Sequence, residues 1–432
     1  MELILLIIIF ILFFIIIYSY SKSDLDFVAI SLLCCFIAAT ITFLVVGTTI
    51  NEFILSIEWE AIIIILSMSI ITKIAQDSNI LEFVAVKLFK LSRGEQRIFF
   101  WLLCIITTLL AAIISDVVVV LILAPIVVRL CHFLKIRAGT YLLGMTICIN
   151  IGSIITPFSS GENIIISTFF HLDTLYFIRY YWIFSFFLLF ITIFLIDRFI
   201  LRKEPKIDDL QKKFVIDLID TDIMVKSKKM FYFNSIAIIV TIILFATLPL
   251  LYLTAGLSAL ILVLVNRSYT KKPMSELLKD IEWEIIFFFI SLYVIIECML
   301  QAGFKDLIGS IPFGTMDSFI ISFLILIIIS VISGLVANTP TALIFIPIVD
   351  TLIKSGVVSP VSLLFSFIIG INLGGNFIPQ GAACDMMTLK IARDSGVENM
   401  NYKRLLRMGA LFAFIHLGIS IIYVLFLVLL FG

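Results

Sequence analysis

The chain has 432 residues, of which 62% are hydrophobic and only 14% are charged, and its formal net charge at pH 7 is zero. Water-soluble domains are about half apolar and about a quarter charged, so this composition excludes a water-solvated globule. A neutral chain also gives no reason to expect a nucleic-acid partner. We therefore predict an all-α, multi-pass integral protein of the cell membrane.

The first and last segments are long enough to span a bilayer. Residues 3–20 and 411–431 are almost wholly apolar, and at about 1.5 Å per residue each covers roughly 30 Å of hydrocarbon. The first segment lacks the basic start and the small-residue cleavage site of a signal peptide. We expect it to remain as a membrane helix.

The tetrapeptide Ile-Glu-Trp-Glu occurs twice, at residues 57–60 and 281–284. Tryptophan is suited to the membrane–water interface, and glutamate in a first helical turn complements the helix dipole. Both copies are therefore interpreted as anchored starts of membrane helices and not as substrate contacts.

Other segments recur in the same order with a shift of 222 residues. Asp116 and its counterpart Asn338 each precede a proline by nine residues. A second motif is repeated as two triplets, Asn150, Gly152 and Pro157, then Asn372, Gly374 and Pro379. We predict an internal duplication, with repeats at residues 1–200 and 231–432 joined by a linker at residues 201–230.

The distribution of Lys and Arg orients the two repeats, because these residues mark cytoplasmic loops. The linker carries eight of them and is expected in the cytoplasm. The segment before the second Ile-Glu-Trp-Glu copy is also basic, whereas residues 47–56, before the first copy, contain no Lys or Arg. The repeats thus start from opposite faces, which is the pattern of inverted repeats in secondary transporters. Both termini are expected outside.

Each repeat contains two apolar arms that we interpret as a re-entrant hairpin. Residues 97–134 have basic residues at both outer ends, so both ends are expected in the cytoplasm and the tip, Asp116, near mid-bilayer. Residues 318–353 fit entry from the opposite side, with Asn338 at the tip. Irregular backbone at this depth is tolerated only beside protein or a water-filled cavity. Five spanning helices per repeat complete the predicted architecture of ten spanning helices and two hairpins.

A helix that should break follows each hairpin. Pro157 interrupts residues 141–170, and Pro379 interrupts residues 362–391. Proline removes a backbone donor and clashes with the preceding turn. The freed amides and the new helix N-terminus can then bind an ion. A kink that serves only packing is the alternative.

These motifs resemble those of the ion transporter superfamily, which includes arsenite permeases, NhaD-type sodium/proton antiporters, citrate transporters and divalent-anion/sodium symporters. ANTPTALIFIP (residues 337–347) resembles the Asn-Thr hairpin tip of the symporters and the Asn-x-Pro-Thr pattern of arsenite-permease relatives. NIGSIITPFSSGENIII (150–166) and INLGGNFIP (371–379) are similar to the two broken helices of that branch. The resemblance implies an elevator-type secondary carrier, with hairpins and broken helices moving against a scaffold that forms a homodimer.

Cation and substrate contacts are expected at the tips and breaks. The candidate residues are Ser115, Asp116, Asn150, Gly152, Thr156, Pro157, Glu162, Asn163, Asn338, Thr339, Thr341, Asn372, Gly374, Pro379 and Asp385. Asp116 and Asn338 are the candidate Na⁺ ligands, and Na⁺ or H⁺ is the expected coupling ion, with no other cofactor.

The first tip departs from the sodium symporters, because it reads Ser-Asp-Val where they have Ser-Asn-Thr. Asp116 adds a charge that can bind Na⁺ or carry a proton, and Glu162 and Asp385 add acids at the breaks. A charge at the bilayer centre costs at least about 2.5 kcal/mol on insertion scales, which makes such residues functional candidates. The alternative for Asp116 is a capping role at the start of the second arm.

No Lys or Arg lies in the hairpin tips or helix breaks. An anion would depend there on helix N-termini, amides, hydroxyls and a co-bound cation, whereas arsenous acid or a bare cation needs no base. We expect a secondary active transporter of a small anion, either an arsenite-like oxyanion or a di- or tricarboxylate such as citrate. A sodium/proton antiporter is the alternative, and an ion channel is less favoured. The chain has no HExxH motif and no recognisable catalytic group, so an enzyme is not expected.

Overall fold

The computed structural model describes residues 2–20, 25–205, 227–248, 250–270, 273–281, 283–310 and 316–431. All regular structure within these ranges is helical. Most of the predicted linker, residues 206–226, lies outside the described residues.

Eleven helices form the first half of the described chain: α1 Glu2–Tyr20, α2 Phe27–Val46, α3 Ile50–Leu55, α4 Trp59–Asp77, α5 Ile80–Leu91, α6 Gln96–Ala111, α7 Asp116–Phe133, α8 Gly139–Gly152, α9 Gly161–Phe169, α10 Thr174–Tyr180 and α11 Trp182–Phe199. The described second half contains α12 Lys228–Thr247, α13 Leu251–Thr270, α14 Met274–Leu277, α15 Trp283–Gln301, α16 Phe304–Gly309, α17 Ser318–Val336, α18 Asn338–Lys354, α19 Pro360–Gly374, α20 Ala383–Asp394 and α21 Tyr402–Phe431. Short 3-10 turns lie between some of these helices.

Ten of the described helices are long and apolar enough to cross a membrane. This confirms the predicted all-α polytopic class. The set differs from the ten spanning helices that were expected, because the hairpin arms α7 and α17 qualify while α8 and α13 count as shorter apolar helices. The break ends α8 after 14 residues.

Equivalent helices of the two halves make equivalent packing contacts. Helix α2 packs on α15, and α4 packs on α13. At a shift of 224 residues, α2 corresponds to α13 and α4 corresponds to α15. The contact of α2 with α15 therefore corresponds to the contact of α13 with α4. Such an exchange is expected for two repeats related by a two-fold axis. With α1 and α12, these four helices form one bundle, called here the scaffold bundle.

The hairpins and broken helices form a second bundle with α11 and α21, called here the transport bundle. Helix α6 packs on α8, and its counterpart α17 packs on α19. Across the halves, α7 of the first hairpin packs on α20, and α18 of the second hairpin packs on α9. Each hairpin therefore contacts the broken helix of the other repeat.

The two hairpin tips differ in backbone geometry. The first tip is a turn of four residues, 112–115, between α6 and α7. In the second, Ala337 alone separates α17 from α18, with φ 90° and ψ 157°. A non-glycine residue at positive φ outside the left-handed helical region is strained, and such strain tends to occur at functional sites.

Both Ile-Glu-Trp-Glu copies lie at helix starts. Helix α4 begins at Trp59 and α15 at Trp283. The indole Nε1 of Trp59 donates to the Ile54 carbonyl at 3.1 Å, and that of Trp283 donates to the Leu278 carbonyl at 2.7 Å. The repeated tetrapeptide thus fixes the same turn in both halves.

Candidate functional site

A cavity of about 1630 Å³ lies between the two bundles. Ser115 and Asp116 of the first tip and Asn338 and Thr339 of the second line the same cavity, together with the start of α9. At the other end, the loop that follows α20 and the turn before α15 line its mouth. The turn before α15 belongs to a basic segment that was predicted to be cytoplasmic, so the cavity opens toward the predicted cytoplasmic side.

The second tip binds the broken helix of the first repeat. Asn338 Nδ2 donates to Glu162 Oε1 at 3.2 Å, and Thr339 Oγ1 donates to Glu162 Oε2 at 3.4 Å. Ser333 Oγ orients the amide by donating to Asn338 Oδ1 at 2.7 Å. Glu162 is only 6% exposed, and its hydrogen bonds all come from neutral groups.

The first tip combines the two roles considered for Asp116. Its Oδ1 accepts from the Val117 amide at 2.8 Å and from Ser115 Oγ at 3.5 Å, so the carboxyl caps the start of α7. The same side chain is half-buried, lines the cavity and lies close enough to Glu162 for the two charges to interact. Capping and cavity contact are compatible here.

Asparagines behind the cavity join the two helix breaks. Asn150 Nδ2 donates to Asn376 Oδ1 at 2.8 Å, and Asn372 Nδ2 donates to Asn163 Oδ1 at 2.9 Å. Asn163 Nδ2 in turn donates to carbonyls inside its own break. These four amides are nearly fully buried and hold the breaks in position; none of them lines the cavity.

The remaining candidates are also away from the cavity. Thr156 Oγ1 donates to the Ala112 carbonyl at 2.6 Å, which ties the first break to the first hairpin. Thr341 Oγ1 donates to the Ala337 carbonyl at 2.8 Å within its own helix. Pro157 and Pro379 are buried within the two helix breaks.

Gly152 and Gly374 allow close helix crossings. A Cβ on Gly152 would lie 2.5 Å from the Thr108 carbonyl oxygen of α6. A Cβ on Gly374 would lie 2.5 Å from the Ser330 carbonyl oxygen of α17. The recurring glycines therefore have the same packing role in both repeats.

Several cavity residues were missed by the sequence analysis. Lys73 of α4 lines the cavity and lies 3.0 Å from Asp280 and 3.7 Å from Asp77. A single basic residue within an apolar helix is unusual, so the sequence could have indicated Lys73 as a candidate. An aromatic group on the scaffold side, Tyr20, Phe27 and Phe288, had no signal, because its rings meet only in three dimensions.

The charge of the lining is uneven. Three bases, Lys73, Lys390 and Arg393, and three acids, Asp280, Glu284 and Glu398, belong to the lining away from the tips. Asp116 and Glu162 are the charged residues of the lining at the tips and the first break. Among the described residues, no group of three or more His, Cys, Asp or Glu is arranged to hold a metal ion. A cation at the tips would need, besides Asp116 and Glu162, ligands from amides, hydroxyls or the substrate itself.

Comparisons with known proteins agree with this architecture. The family model CitMHS, described as a citrate transporter, matches residues 4–370. An uncharacterized transporter of Mycobacterium bovis is 24% identical over 378 residues, covering 85% of this chain and 86% of that protein.

Two solved structures share the fold. The YdaH transporter of Alcanivorax borkumensis has a TM-score of 0.61 at 10% identity and covers 88% of this chain and 87% of that one. MtrF of Neisseria gonorrhoeae, described as illuminating a class of antimetabolite efflux pumps, has a TM-score of 0.60 at 12% identity, with coverages of 91% and 85%. Because the family match spans most of the chain, the chain belongs to the CitMHS citrate transporter family and is a secondary transporter of the cell membrane.

Proposed function

We propose that the protein transports a small carboxylate anion such as citrate together with a cation, coupled to Na⁺ or H⁺. The proposal rests on the part of the cavity at the hairpin tips, called here its inner end. There Asp116 and Glu162 lie beside hydroxyls and amides of the two tips. The family description supports citrate as the substrate.

A bound cation would lower the electrostatic repulsion between an anionic substrate and the two acids of the site. Two like charges about 5 Å apart repel by roughly 3 kcal/mol at an effective dielectric of about 20. A bare tricarboxylate next to Asp116 and Glu162 is therefore disfavoured. Carboxylate and hydroxyl oxygens are ligands that hard cations prefer, so a cation between the substrate and these acids lowers the repulsion. Protonation of the substrate or of an acid has the same effect.

An elevator movement of the transport bundle is part of the proposal. The scaffold and transport bundles meet along the cavity, and α5 and α16 link them in sequence at equivalent positions. The scaffold side of the cavity includes the rings of Tyr20, Phe27 and Phe288, a largely apolar surface along which tips can slide. A homodimer formed through the scaffold stays a prediction.

Solute counterflow in proteoliposomes tests the proposal. Citrate, succinate, arsenite, phosphate and sulfate are compared with and without Na⁺, Mg²⁺ and a pH gradient. The expected result is citrate counterflow that depends on a cation, or net citrate uptake that a pH gradient drives. Arsenite counterflow without citrate counterflow would overturn the carboxylate assignment.

A sodium/proton antiporter is the second candidate, because acids without bases at the inner end suffice for cation exchange. Its signature is proton movement driven by a Na⁺ gradient in vesicles that contain no carboxylate or oxyanion. That result, together with absent anion counterflow, would replace the first proposal.

A further inference from the structure

Asp385 lies on the side of α20 that faces away from the cavity. Ala383 and Met386 of the same helix line the cavity, whereas Asp385 does not. Its side chain is 1% exposed and points into the contact between α20, α7 and α8. It therefore does not line the cavity with Asp116 and Glu162.

The surroundings of Asp385 are almost without compensating groups. Thr146 Oγ1 of α8 donates to Asp385 Oδ1 at 2.6 Å, and the Cys384 thiol lies 3.8 Å from the same oxygen. Asp385 Oδ2 is buried and has no hydrogen-bond partner among the described residues. The titratable groups that interact with it are Asp116 of α7 and Cys384 of its own helix, while the neighbouring turn 379–381 presents none.

This environment favours the neutral acid over the carboxylate. An ionised carboxylate buried with one oxygen unpaired, near another acid and with no cation facing it, is strongly destabilised. Protonation removes the charge and leaves the hydrogen bond from Thr146 in place. The group can ionise only when its surroundings change, which is what a coupling site requires.

We propose that Asp385 is the proton-binding residue that couples transport to the pH gradient, separate from the substrate and cation contacts at Asp116 and Glu162. The inference rests on the proposed function for the identity of the co-transported substrate. The Cys384 thiol lies beside both Asp116 and Asp385, so Asp116 provides the approach from the cavity. A hydronium ion in the cavity gives up a proton and becomes water, and the proton forms an O–H bond at Asp385. This bond breaks when the proton passes to a water molecule on the other side of the membrane.

The position of Asp385 also explains how its charge can act on the conformation. Thr146 belongs to the first repeat and Asp385 to the second, so their hydrogen bond joins the two helix breaks. A negative charge here strengthens this contact and repels Asp116. Protonation reverses both effects, and the arrangement of the breaks responds to the proton.

Infrared difference spectroscopy tests the protonation state without any substrate. Reconstituted wild type should show the carbonyl-stretch band of a protonated carboxylic acid at neutral pH, and this band should shrink as the pH rises. Subtraction of the D385N spectrum from the wild-type spectrum should leave this band, whereas subtraction of the spectrum of Asp394→Asn, a change at the exposed end of the same helix, should leave none. A difference between wild type and D385N that contains no such band overturns the inference.

Transport assays provide the second readout. Citrate uptake driven by a pH gradient should fall at least about tenfold in D385N, while citrate/citrate exchange, which moves no net proton, should remain within about threefold of wild type. Unchanged gradient-driven uptake, or equal loss of both activities in a folded protein, contradicts the assignment. Absent citrate flux in the wild type rejects the proposed function instead, and the infrared result still decides the role of Asp385.

Discussion

Asn338 Nδ2 donates a hydrogen bond of 3.2 Å to Glu162 Oε1, and so the hairpin tip of the second repeat is joined to the helix break of the first. The two residues are 176 positions apart in sequence. The hydrogen bond forms one wall of the cavity, and it places a nearly buried carboxylate where the two repeats meet.

Replacement of Glu162 by Gln should remove substrate-coupled transport while preserving the fold. The amide oxygen can still accept from Asn338, but the charge available to a cation is lost. We expect uptake in proteoliposomes to fall at least about tenfold. Glu284→Gln is the matched control, since Glu284 is an exposed acid of the same cavity. Equal uptake by Glu162→Gln and wild type would argue against a cation contact.

Asp116→Asn separates the two roles of that residue. The Asn side chain can still accept from the Val117 amide, so the start of α7 stays capped and the melting temperature should change little. Ion-coupled uptake should be abolished, because the charge at the first tip is gone. Normal coupled flux from a folded Asp116→Asn protein would reduce the role of Asp116 to capping.

The paired glycines predict a packing defect. Gly152→Ala and Gly374→Ala would each place a methyl group 2.5 Å from a carbonyl oxygen of the crossing helix. Each should destabilise the protein by about 1–3 kcal/mol, as overpacking does. Gly418→Ala is the control, because nothing lies within 4 Å of its added methyl group. Thermal unfolding in detergent would reveal the difference, and equal melting temperatures would contradict it.

Thr192 and His416, which occupy equivalent helices 224 residues apart, meet through a 2.8 Å hydrogen bond between Oγ1 and Nε2. Thr192→Val should leave this imidazole nitrogen buried and unpaired, at a cost of about 1–3 kcal/mol. Thr192→Ser keeps the hydroxyl and should be close to wild type. Neither residue lines the cavity, so substrate affinity should be unchanged in both variants. A large affinity change with intact stability would point to a functional role.

Cysteine labelling can test the opposite entry of the two hairpins. All seven native cysteines are buried, which keeps background labelling low. Ser227→Cys, before α12, should react only from the cytoplasm, and Ser355→Cys, after the second hairpin, only from outside. Both positions are exposed. External labelling at residue 227, or labelling of both from one side, would contradict the predicted topology.

The sequence alone was sufficient to locate the hairpin tips and the helix breaks. The tips at Asp116 and Asn338 were visible because a polar residue within a long apolar stretch is costly and seldom incidental. The breaks were visible because proline cannot continue a helix. Shared spacing between the halves then identified the duplication.

Side-chain direction was not available from the sequence. Asp385 and Glu162 both looked like acids at a helix break, yet Glu162 lines the cavity and Asp385 faces the opposite side of its helix. Asn150 and Asn372 looked like ligands but join the breaks behind the cavity. Gly152 and Gly374 looked like part of the site and instead permit helix crossings.

The sequence by itself determined that this chain is a duplicated membrane protein with a broken helix and a polar tip in each half, because burial in lipid restricts where polar and helix-breaking residues can occur. Tertiary structure alone decided which of those residues share a cavity. The packing of α18 on α9 and of α7 on α20 sets these neighbours. Contacts between helices about 200 residues apart depend on how whole helices rotate and cross, and no local pattern records that geometry.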